Sequence, residues 1–400
     1  MDETTIRILL YSHDSQGLGH MRRNLAIAHH LARLIPSLTG CGVSGLLVSG
    51  VPPDTRFPRP EGFDWLTIPG VMKSETGYQP RHLAEPTHSL ISLRSSLLKA
   101  ALLSFAPDLV VIDRHIYGVW QELRKPLCQL RAQHPDTQVV LGLREVLDTP
   151  TVATAEWRGL GSPQQLRALV DEVWIYGDSR VHDPVATGEA PPALSDRVRF
   201  TGYLANGRAV TDHTAGSIPI QEPFVLTTAG GGSDGHELLR AAAAAAVPAG
   251  HRHVIVTGPQ LPENDFAAVK ACAGPRTEVH RSWPGLSRHI AAASAVIAMG
   301  GYNTACEILA SDTPALLVPR EHPRWEQLIR ARSLAAVGAV DVLRAGHANH
   351  IALGNWLAAA VTRRTDRSGI ARDGLTTVAR YAADLLDRFW VRQQLKGVGP

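Results

Sequence analysis

Short apolar runs alternate with longer segments of helical periodicity along most of the 400-residue chain. In the first half, strands are predicted at IRILLY, GLLVS, DLVVID, QVVLGLR and EVWIYG, and amphipathic helices at 21–34, 83–105 and 119–133. The second half repeats this rhythm at FVLTTAG, HRHVIVTG, TEVHR, SAVIAMG, PALLVP and GAVDVL. Such alternation is typical of a parallel sheet covered by helices, and therefore of the α/β class.

The repetition predicts two domains, because a chain of this length exceeds what one core usually supports. We expect a Rossmann-like N-terminal domain at 1–205 and a second, equally doubly wound parallel-sheet domain at 223–365. The stretch 206–222 between them is polar and without periodicity, which indicates a linker. The segment 366–400 has a long helical pattern and could cross back to the N-terminal domain.

Composition narrows the classes of protein that the chain could belong to. The 40 basic and 37 acidic residues leave a net charge of only +3, which disfavours a nucleic-acid partner. Four widely spaced cysteines predict neither a metal site nor a disulfide framework, and favour a cytoplasmic location. The N-terminus resembles a strand rather than a signal peptide, and no apolar run reaches the ~20 residues of a membrane span.

One helical segment, SLISLRSSLLKAALLSF at 89–105, is amphipathic and carries Arg94 and Lys99. We expect it to pack on the sheet. The alternative is a weak peripheral contact with an anionic membrane, at its inner face.

The first of three glycine turns is Gly17-Leu18-Gly19-His20, between the first predicted strand and the first predicted helix. It should lie at the carboxyl edge of the sheet, where open α/β sheets bind ligands. Its spacing fits neither the dinucleotide fingerprint nor the P-loop. A helix N-terminus disfavours an imidazolium, so we expect His20 to be a neutral base near pH 7; a simple helix cap is the alternative.

The second glycine turn is TTAGGGSDG at 227–235, which also follows a predicted strand. Three consecutive glycines allow backbone N–H groups to turn inward as an anion nest, and the following helix adds its dipole. The turn therefore predicts a diphosphate cradle at Gly231, Gly232 and Ser233, with a tight turn as the alternative.

The third glycine turn is formed by Gly300 and Gly301, after the strand SAVIAMG. We expect a helix from Asn303 or Thr304, with Glu307 one turn into it. The Glu307 carboxylate could accept hydrogen bonds from two ribose hydroxyls. Alternatively, it is simply favourable near a helix N-terminus.

Together the three turns resemble the two-domain GT-B architecture of glycosyltransferases. GGYNTACEILASDTPALLVPREHPRWEQLIRA, at 300–331, resembles the donor-binding signature of family 28, which includes the murein transferase that adds N-acetylglucosamine to lipid I. The motifs GLGHMRRN, LGLREVLD, VWIYGDSRVHDP and TAGGGSDG are similar to those of bacterial proteins described as predicted glycosyltransferases. The resemblance covers about residues 5–345 and implies two facing domains with a cleft between them.

The resemblance also implies roles for individual residues. His20 would be the catalytic base on an acceptor-side loop that includes Gly17 and Gly19. The remaining roles are the donor diphosphate at Gly231, Gly232, Ser233, Gly300 and Gly301, the ribose at Glu307, the donor sugar at Glu326 and Gln327, and the nucleotide base at Arg281, Trp283 and Leu286.

The first domain departs from the murein enzyme at DLVVIDRHIYG, where that enzyme has a second glycine-rich loop. Here Asp113 ends a strand, as does the aspartate that orients the catalytic histidine in natural-product and plant glycosyltransferases. The resemblance thus implies a His20–Asp113 pair, which places a lipid-linked acceptor in question.

These residues predict transfer of a hexose or N-acetylhexosamine from a nucleotide-diphosphate sugar, most simply a UDP-sugar, to an acceptor hydroxyl with inversion. The acceptor could be a carbohydrate, a lipid-linked sugar or a small metabolite. No Asp-x-Asp pair occupies a suitable position, so we expect neither a metal nor a cofactor beyond the donor. The alternatives are a non-hydrolysing UDP-sugar 2-epimerase and a non-catalytic nucleotide-sugar-binding protein.

Other polar groups at the same sheet edge have less certain roles. Arg320 and Arg324 are candidates to stabilise the leaving diphosphate. Glu145 could be a second base, although a structural ion pair is the more economical interpretation. The loop 178–183 is expected to line the cleft or to lock its own conformation, and the polar loop 70–82 to form the acceptor mouth.

Overall fold

The computed structural model describes residues 5–13, 19–52, 58–74, 77–208 and 222–397. Two open parallel sheets, one in each half of the chain, form its framework. Their central strands, such as 109–113, 172–176, 224–228 and 295–298, are buried throughout, as expected of parallel sheets that helices cover on both faces. The predicted α/β class with two Rossmann-like sheets is confirmed.

The N-terminal sheet contains the strands β1 (Thr5–Tyr11), β2 (Gly42–Ser49), β3 (Phe63–Thr67), β6 (Leu109–Asp113), β7 (Gln138–Arg144), β8 (Glu172–Tyr176) and β9 (Val198–Phe200). They lie in the order β3-β2-β1-β6-β7-β8-β9, and all neighbours are parallel. The helices of this half are α1 (Gly19–Thr39), α2 (Thr87–Phe105), α3 (Arg124–Gln133), α4 (Pro150–Arg158) and α5 (Pro163–Leu169), with short 3-10 turns at Val119–Gln121 and Pro192–Arg197.

The C-terminal sheet contains β10 (Phe224–Thr228), β11 (Arg252–Val256), β12 (Thr277–His280), β13 (Ala295–Ala298), β14 (Ala315–Leu317) and β15 (Asp341–Val342), in the parallel order β12-β11-β10-β13-β14-β15. Its helices are α6 (His236–Ala243), α7 (Glu263–Ala271), α8 (Leu286–Ala292), α9 (Tyr302–Leu309), α10 (Glu326–Ala336), α11 (His350–Ala360) and α12 (Gly374–Gly397), with a 3-10 turn at Ala345–His347.

Strand order determines where a ligand can bind. In each sheet the order reverses beside the first strand, between β1 and β6 in one domain and between β10 and β13 in the other. The crevice outside the carboxyl ends of strands at such a point is the usual ligand site of open α/β sheets. Gly19 and His20 come after β1, Asp113 ends β6, and the second and third glycine turns follow β10 and β13, so the topology brings them to the two reversal points.

The two domains share apolar packing. In α1, Met21, Leu25 and Ala28 recur at helical spacing and are buried. The same apolar cluster continues into the C-terminal sheet and into Ala379 and Ala382 of α12, which lies against α1. Among the described helices, none is long and apolar enough to cross a bilayer.

The structure differs from the predicted elements in several places. The polar loop 70–82 contains an antiparallel hairpin, β4 (Val71–Ser74) and β5 (Gly77–Pro80). The helix predicted at 119–133 is divided, because Trp120 and Gln121 adopt positive φ before α3 begins. Strands β3 and β9 were not predicted, since both are short and only partly buried. Most of the predicted linker, 209–221, lies outside the described residues.

Candidate active site

The catalytic pair predicted in the N-terminal domain is assembled at the reversal point of its sheet. His20 is the second residue of α1, Asp113 is the last residue of β6, and Nδ1 of His20 lies 2.6 Å from Oδ2 of Asp113. Asp113 is fully buried, whereas the His20 side chain is 19% exposed. A histidine in this position is held by the interior and still open to a substrate.

Arg23, one turn along α1, completes this centre. Its guanidinium donates to both oxygens of Asp113, at 2.5 and 2.6 Å, and the same nitrogen lies 3.0 Å from Nδ1 of His20. Burial alone would raise the pKa of Asp113, but the charges of Arg23 and His20 and their hydrogen bonds outweigh it and hold that pKa well below its usual range. Asp113 is therefore ionised at any working pH.

An ionised carboxylate can only accept a hydrogen bond, which assigns the proton of a neutral His20 ring to Nδ1. Nε2 is then the nitrogen with the free lone pair, and no described residue hydrogen-bonds to it. This is the arrangement in which a carboxylate fixes the tautomer of a histidine base. Gly17 lies outside the described residues, and Gly19 is the first residue of α1.

The C-terminal domain brings its two glycine turns to the same place. Asn303, near the start of α9, donates from Nδ2 to the carbonyl oxygen of Gly19 at 2.9 Å. A Cβ at Gly230 would lie 3.7 Å from Oγ1 of Thr304, so the second turn is adjacent to the third. Gly19 of the first turn and the second and third glycine turns therefore meet between the domains.

Only some positions of the predicted diphosphate cradle require glycine. Gly232 has φ +92°, and a Cβ there would be 2.4 Å from the carbonyl oxygen of Thr257, so the turn itself requires glycine. Gly300 likewise has φ +89°. By contrast, a Cβ at Gly301 would meet nothing within 4 Å, and Gly231 and Ser233 are exposed. Gly301 therefore borders open space, whereas a Cβ at Gly231 would lie 3.1 Å from Oε1 of Gln260; the cradle itself remains a prediction.

Glu307 faces helix α1 of the N-terminal domain. Helix α9 starts at Tyr302, slightly earlier than predicted, which makes Glu307 its sixth residue. Its Oε1 accepts a 2.6 Å hydrogen bond from Arg22 of α1, while Oε2 is buried and has no partner in the described structure. A buried carboxylate oxygen without a partner is costly, and a ligand hydroxyl would satisfy it.

Glu326 and Gln327, the predicted donor-sugar residues, begin α10 and are engaged with arginines. Glu326 accepts from Arg144 of the N-terminal domain at 2.6 Å and from Arg320 at 3.2 Å. Burial raises the pKa of Glu326, but Arg144, Arg330 and Arg320 outweigh it and lower that pKa to about 2. Gln327 accepts the backbone N–H of Arg320 at 3.2 Å. Their sugar-binding role stays a prediction.

The two arginines predicted to stabilise the diphosphate are also paired. Arg320 donates to Asp234 at 2.9 Å. Arg324 reaches across to the N-terminal domain, with Asp148 at 3.3 Å and Glu156 at 2.9 Å. Either arginine would have to exchange a carboxylate for a phosphate to act as predicted.

The predicted base pocket follows β12. Trp283 is only 4% exposed and stacks on His289 with ring centres 3.6 Å apart. Arg281 donates to the Leu261 carbonyl and to Glu263, and Leu286 starts α8. Much of the indole is therefore committed to the core, and the base-binding assignment rests on the resemblance alone.

The remaining polar groups have structural partners. Glu145 forms a buried ion pair with Arg330 at 2.7 Å, which is the ion-pair interpretation rather than the second base. In the loop 178–183, Asp178 accepts from Arg180 and from the Ala371 backbone, and Asp183 accepts from the Val185 backbone. That loop is locked by its own hydrogen bonds. No group of three or more potential metal-ligating His, Cys, Asp or Glu side chains occurs in the described part of the chain.

Sequence reasoning missed four aromatic side chains beside His20. His13 follows β1 directly, with its ring 5.8 Å from that of His20 and 4.6 Å from that of His115. Tyr78 of β5 and Trp120 continue the line outward. The position of His13 at a strand end was the available signal, because that edge carries ligands.

His13 makes stability depend on pH. Burial, and then the charge of His20, lower the pKa of His13 to about 3, so the folded protein binds fewer protons than the unfolded chain below the ordinary value of 6.5. The free energy of unfolding should therefore decline as pH falls below 6.5, with a share from His13 of about 3 kcal/mol by about pH 4. Urea unfolding across this range measures the decline.

The variant His13→Gln should show a shallower decline, and the exposed His88→Gln should behave as the parent protein. Equal slopes for the parent protein and His13→Gln would contradict the expectation.

Comparisons with known proteins agree with this architecture. Residues 227–367 match the family model described as Glycosyltransferase family 28 C-terminal domain. No curated protein matches the chain in sequence. Among solved structures, CalG4, the calicheamicin glycosyltransferase, superposes with a TM-score of 0.57 at 16% identity, covering 100% of both chains.

Two further solved structures are similar to this chain over almost its whole length. MurG of Acinetobacter baumannii has a TM-score of 0.53 at 15% identity, covering 96% of this chain and 99% of its own. A putative UDP-N-acetylglucosamine 2-epimerase from Listeria monocytogenes has a TM-score of 0.56 at 9% identity, covering 95% and 91%. At these identities the likeness concerns the fold.

The protein therefore has the GT-B fold, two Rossmann-like domains that face each other across the site. Its C-terminal domain matches glycosyltransferase family 28, and together the match and the fold support sugar transfer as the general activity.

Proposed function

We propose that the protein is an inverting glycosyltransferase that moves a hexose or N-acetylhexosamine from a UDP-sugar to an acceptor hydroxyl. The observation that carries the proposal is the meeting of the His20–Asp113 pair with the glycine turns and Glu307 of the opposite domain. One domain offers a base with a free nitrogen, and the other offers backbone donors and a carboxylate.

The chemistry follows from these groups. Nε2 of His20 accepts the proton of the acceptor hydroxyl as its oxygen attacks the anomeric carbon. Asp113 stabilises the imidazolium that forms and keeps its orientation. The nucleotide diphosphate leaves from the opposite face of the sugar, which inverts the anomeric centre. Backbone N–H groups of the two C-terminal glycine turns stabilise the negative charge on it.

The state of the carboxylates favours transfer over epimerisation. An epimerase acting on C2 of a bound UDP-sugar needs acid and base groups around one donor. Here Glu145 and Glu326 are both held by arginines, at 2.7 Å to Arg330 and 2.6 Å to Arg144. His20, by contrast, pairs with a carboxylate through Nδ1 and leaves Nε2 without a hydrogen-bond partner among the described residues.

A donor panel tests the proposal. Purified protein is incubated with UDP-, GDP- and dTDP-sugars, with and without a mixture of simple glycosides, and the products are analysed by mass spectrometry and proton NMR. A UDP-sugar should raise the melting temperature, and a glycoside should gain one hexose or N-acetylhexosamine unit of inverted configuration. Donor isomerised without an acceptor would indicate the epimerase, and thermal stabilisation without turnover the binding protein.

Glu307 provides a specific prediction for donor binding. The variant Glu307→Gln should weaken UDP binding by about ten- to hundredfold, because charge-assisted hydrogen bonds to the ribose are lost. Isothermal titration with UDP measures the change.

The matched control is Arg22→Ala, which removes the same ion pair but keeps the carboxylate. It should bind UDP far better than Glu307→Gln. Equal losses in the two variants would show that the ion pair matters and not a contact between Glu307 and the ribose.

A further inference from the structure

A wall of aromatic side chains runs from the base to the protein surface. It consists of His13 at the carboxyl end of β1, Tyr78 on the hairpin and Trp120 in the loop after β6. Oη of Tyr78 lies 3.3 Å from Nε2 of His13, and the ring centres of Tyr78 and Trp120 are 6.1 Å apart. With the His13 ring 5.8 Å from His20, the wall ends at the base.

Trp120 is held in place at an energetic cost. It adopts φ 46° and ψ 39°, and Gln121 also has a positive φ, of 63°. Non-glycine residues in this region are strained and cluster at functional sites. Gly77 permits the approach of the indole, since a Cβ there would be 3.2 Å from Cζ2 of Trp120.

Packing does not account for this strain. Val119, the residue before Trp120, is buried with Val71 and Leu90 in a small apolar cluster. Trp120 itself remains 46% exposed. The chain thus holds a large apolar ring in solvent, at the end of a line that leads to the base.

The wall offers polar atoms without net charge. Nδ1 of His13 is buried and has no partner in the described structure, and burial keeps that ring neutral near pH 7. Two nearby arginines are already neutralised, since Arg114 pairs with Glu156 and Arg94 with Glu122. Arg94, which the sequence placed on an amphipathic surface, is fully buried.

We propose that this wall is the acceptor site and that its acceptor is a neutral pyranose sugar. A pyranose has one face of C–H bonds that packs on the negative face of an indole, and a rim of hydroxyls that need hydrogen-bond partners. Trp120 supplies the aromatic face, and His13 and Tyr78 supply the hydrogen-bond partners. The inner end of the wall lies beside His20, with the rings of His13 and His20 5.8 Å apart.

The same features argue against two other acceptors. An acceptor that carries a diphosphate would need cations, and the arginines named above are all paired. A flat apolar aromatic compound would stack on Trp120 but leave Nδ1 of His13 unsatisfied. The inference rests on the proposed function, which makes the bound sugar an acceptor, but binding of the sugar can be measured without any donor.

The test is saturation-transfer NMR in the absence of nucleotide. The ligands are methyl glycosides of glucose, galactose, mannose and N-acetylglucosamine. At least one glycoside should bind, and Trp120→Ala should bind it about three- to tenfold more weakly. Trp120→Phe, which keeps an aromatic face, should recover most of the affinity. Ile351→Ala, at an exposed residue far along the chain, is the control and should bind as the parent protein does.

Three results would overturn the inference: no glycoside binds, glycoside binding is indifferent to Trp120, or only 4-nitrophenol or anionic phosphatidylglycerol vesicles depend on Trp120. UDP titration of the same samples separates this inference from the proposed function. UDP binding without glycoside binding would refute the acceptor site alone, and glycoside binding without UDP binding would refute the transferase alone. Melting temperatures of the Trp120 variants identify any loss of folding, in which case Tyr78→Phe supplies the test through its lost hydroxyl.

Discussion

Replacing His20 by alanine is expected to lower kcat for sugar transfer by about 10²- to 10⁴-fold, the usual contribution of a positioned general base. The reason is geometric: Asp113 directs the Nδ1 proton and leaves Nε2 to take the acceptor proton. Affinity for UDP should be nearly unchanged, because the residues predicted to bind its diphosphate and ribose lie on the other domain. Steady-state kinetics and UDP titration measure the two effects separately.

His29→Ala is the matched control, since His29 lies on the same helix and hydrogen-bonds to the Pro58 carbonyl instead. Its kcat should be close to that of the parent protein. A His20→Ala variant that keeps its rate would remove the base assignment, and one that loses UDP binding in parallel would assign His20 to the donor.

The reversal points explain why much of this site could be predicted from sequence. Glycine turns and Asp113 directly follow apolar runs, and parallel strands place their carboxyl ends at one edge. The resemblance implied the pairing of His20 with Asp113, which requires that β1, before the helix of His20, lies beside β6, which ends at Asp113. The structure pairs them, with Leu10 opposite Val111.

The partners of the acidic residues could not be predicted in the same way. Arg22 and Glu307 are 285 positions apart, and Arg144 and Glu326 are 182 apart. These contacts depend on how the two domains dock, and no periodicity within either domain encodes that. Sequence reasoning therefore identified Glu307 and Glu326 as candidate ligands of the donor and did not foresee that arginines of the other domain engage them.

The aromatic wall was missed for a different reason. Trp120 lies in a stretch with helical periodicity, which favoured one helix over 119–133. The left-handed backbone at Trp120 and Gln121 ends that pattern, and neither residue type announces a positive φ. Local propensity therefore failed at a place where the backbone of the described structure is strained.

The docked arginines also bear on how a donor enters. Glu307 keeps Oε1 on Arg22 and leaves Oε2 without a partner in the described structure, so a ribose hydroxyl can bind without breaking the ion pair. Arg320 differs, since it bridges Asp234 and Glu326. A diphosphate that recruits Arg320 must separate those contacts.

The buried pair of Glu145 and Arg330 gives the largest expected effect on stability. Both side chains are fully buried, and the two nitrogen–oxygen distances are 2.7 and 3.3 Å. Burial acts to lower the pKa of Arg330, but Glu145 outweighs it and raises that pKa. Glu145→Ala leaves a guanidinium uncompensated in the interior and should lower the free energy of unfolding by about 3–5 kcal/mol.

Urea unfolding measures that loss, with Asp196→Ala as the control. Asp196 pairs with Arg167 at the surface, and removing it should leave the free energy of unfolding nearly unchanged. The double variant Glu145→Gln with Arg330→Met should recover part of the loss, because no buried charge remains.

Arg330 also donates to the Gly300 carbonyl at 3.3 Å, so Glu145→Ala should weaken UDP binding as well as stability. If Glu145→Ala and Asp196→Ala lower the free energy of unfolding equally, other groups compensate the charge of Arg330. The link from the domain interface to the third glycine turn then also fails.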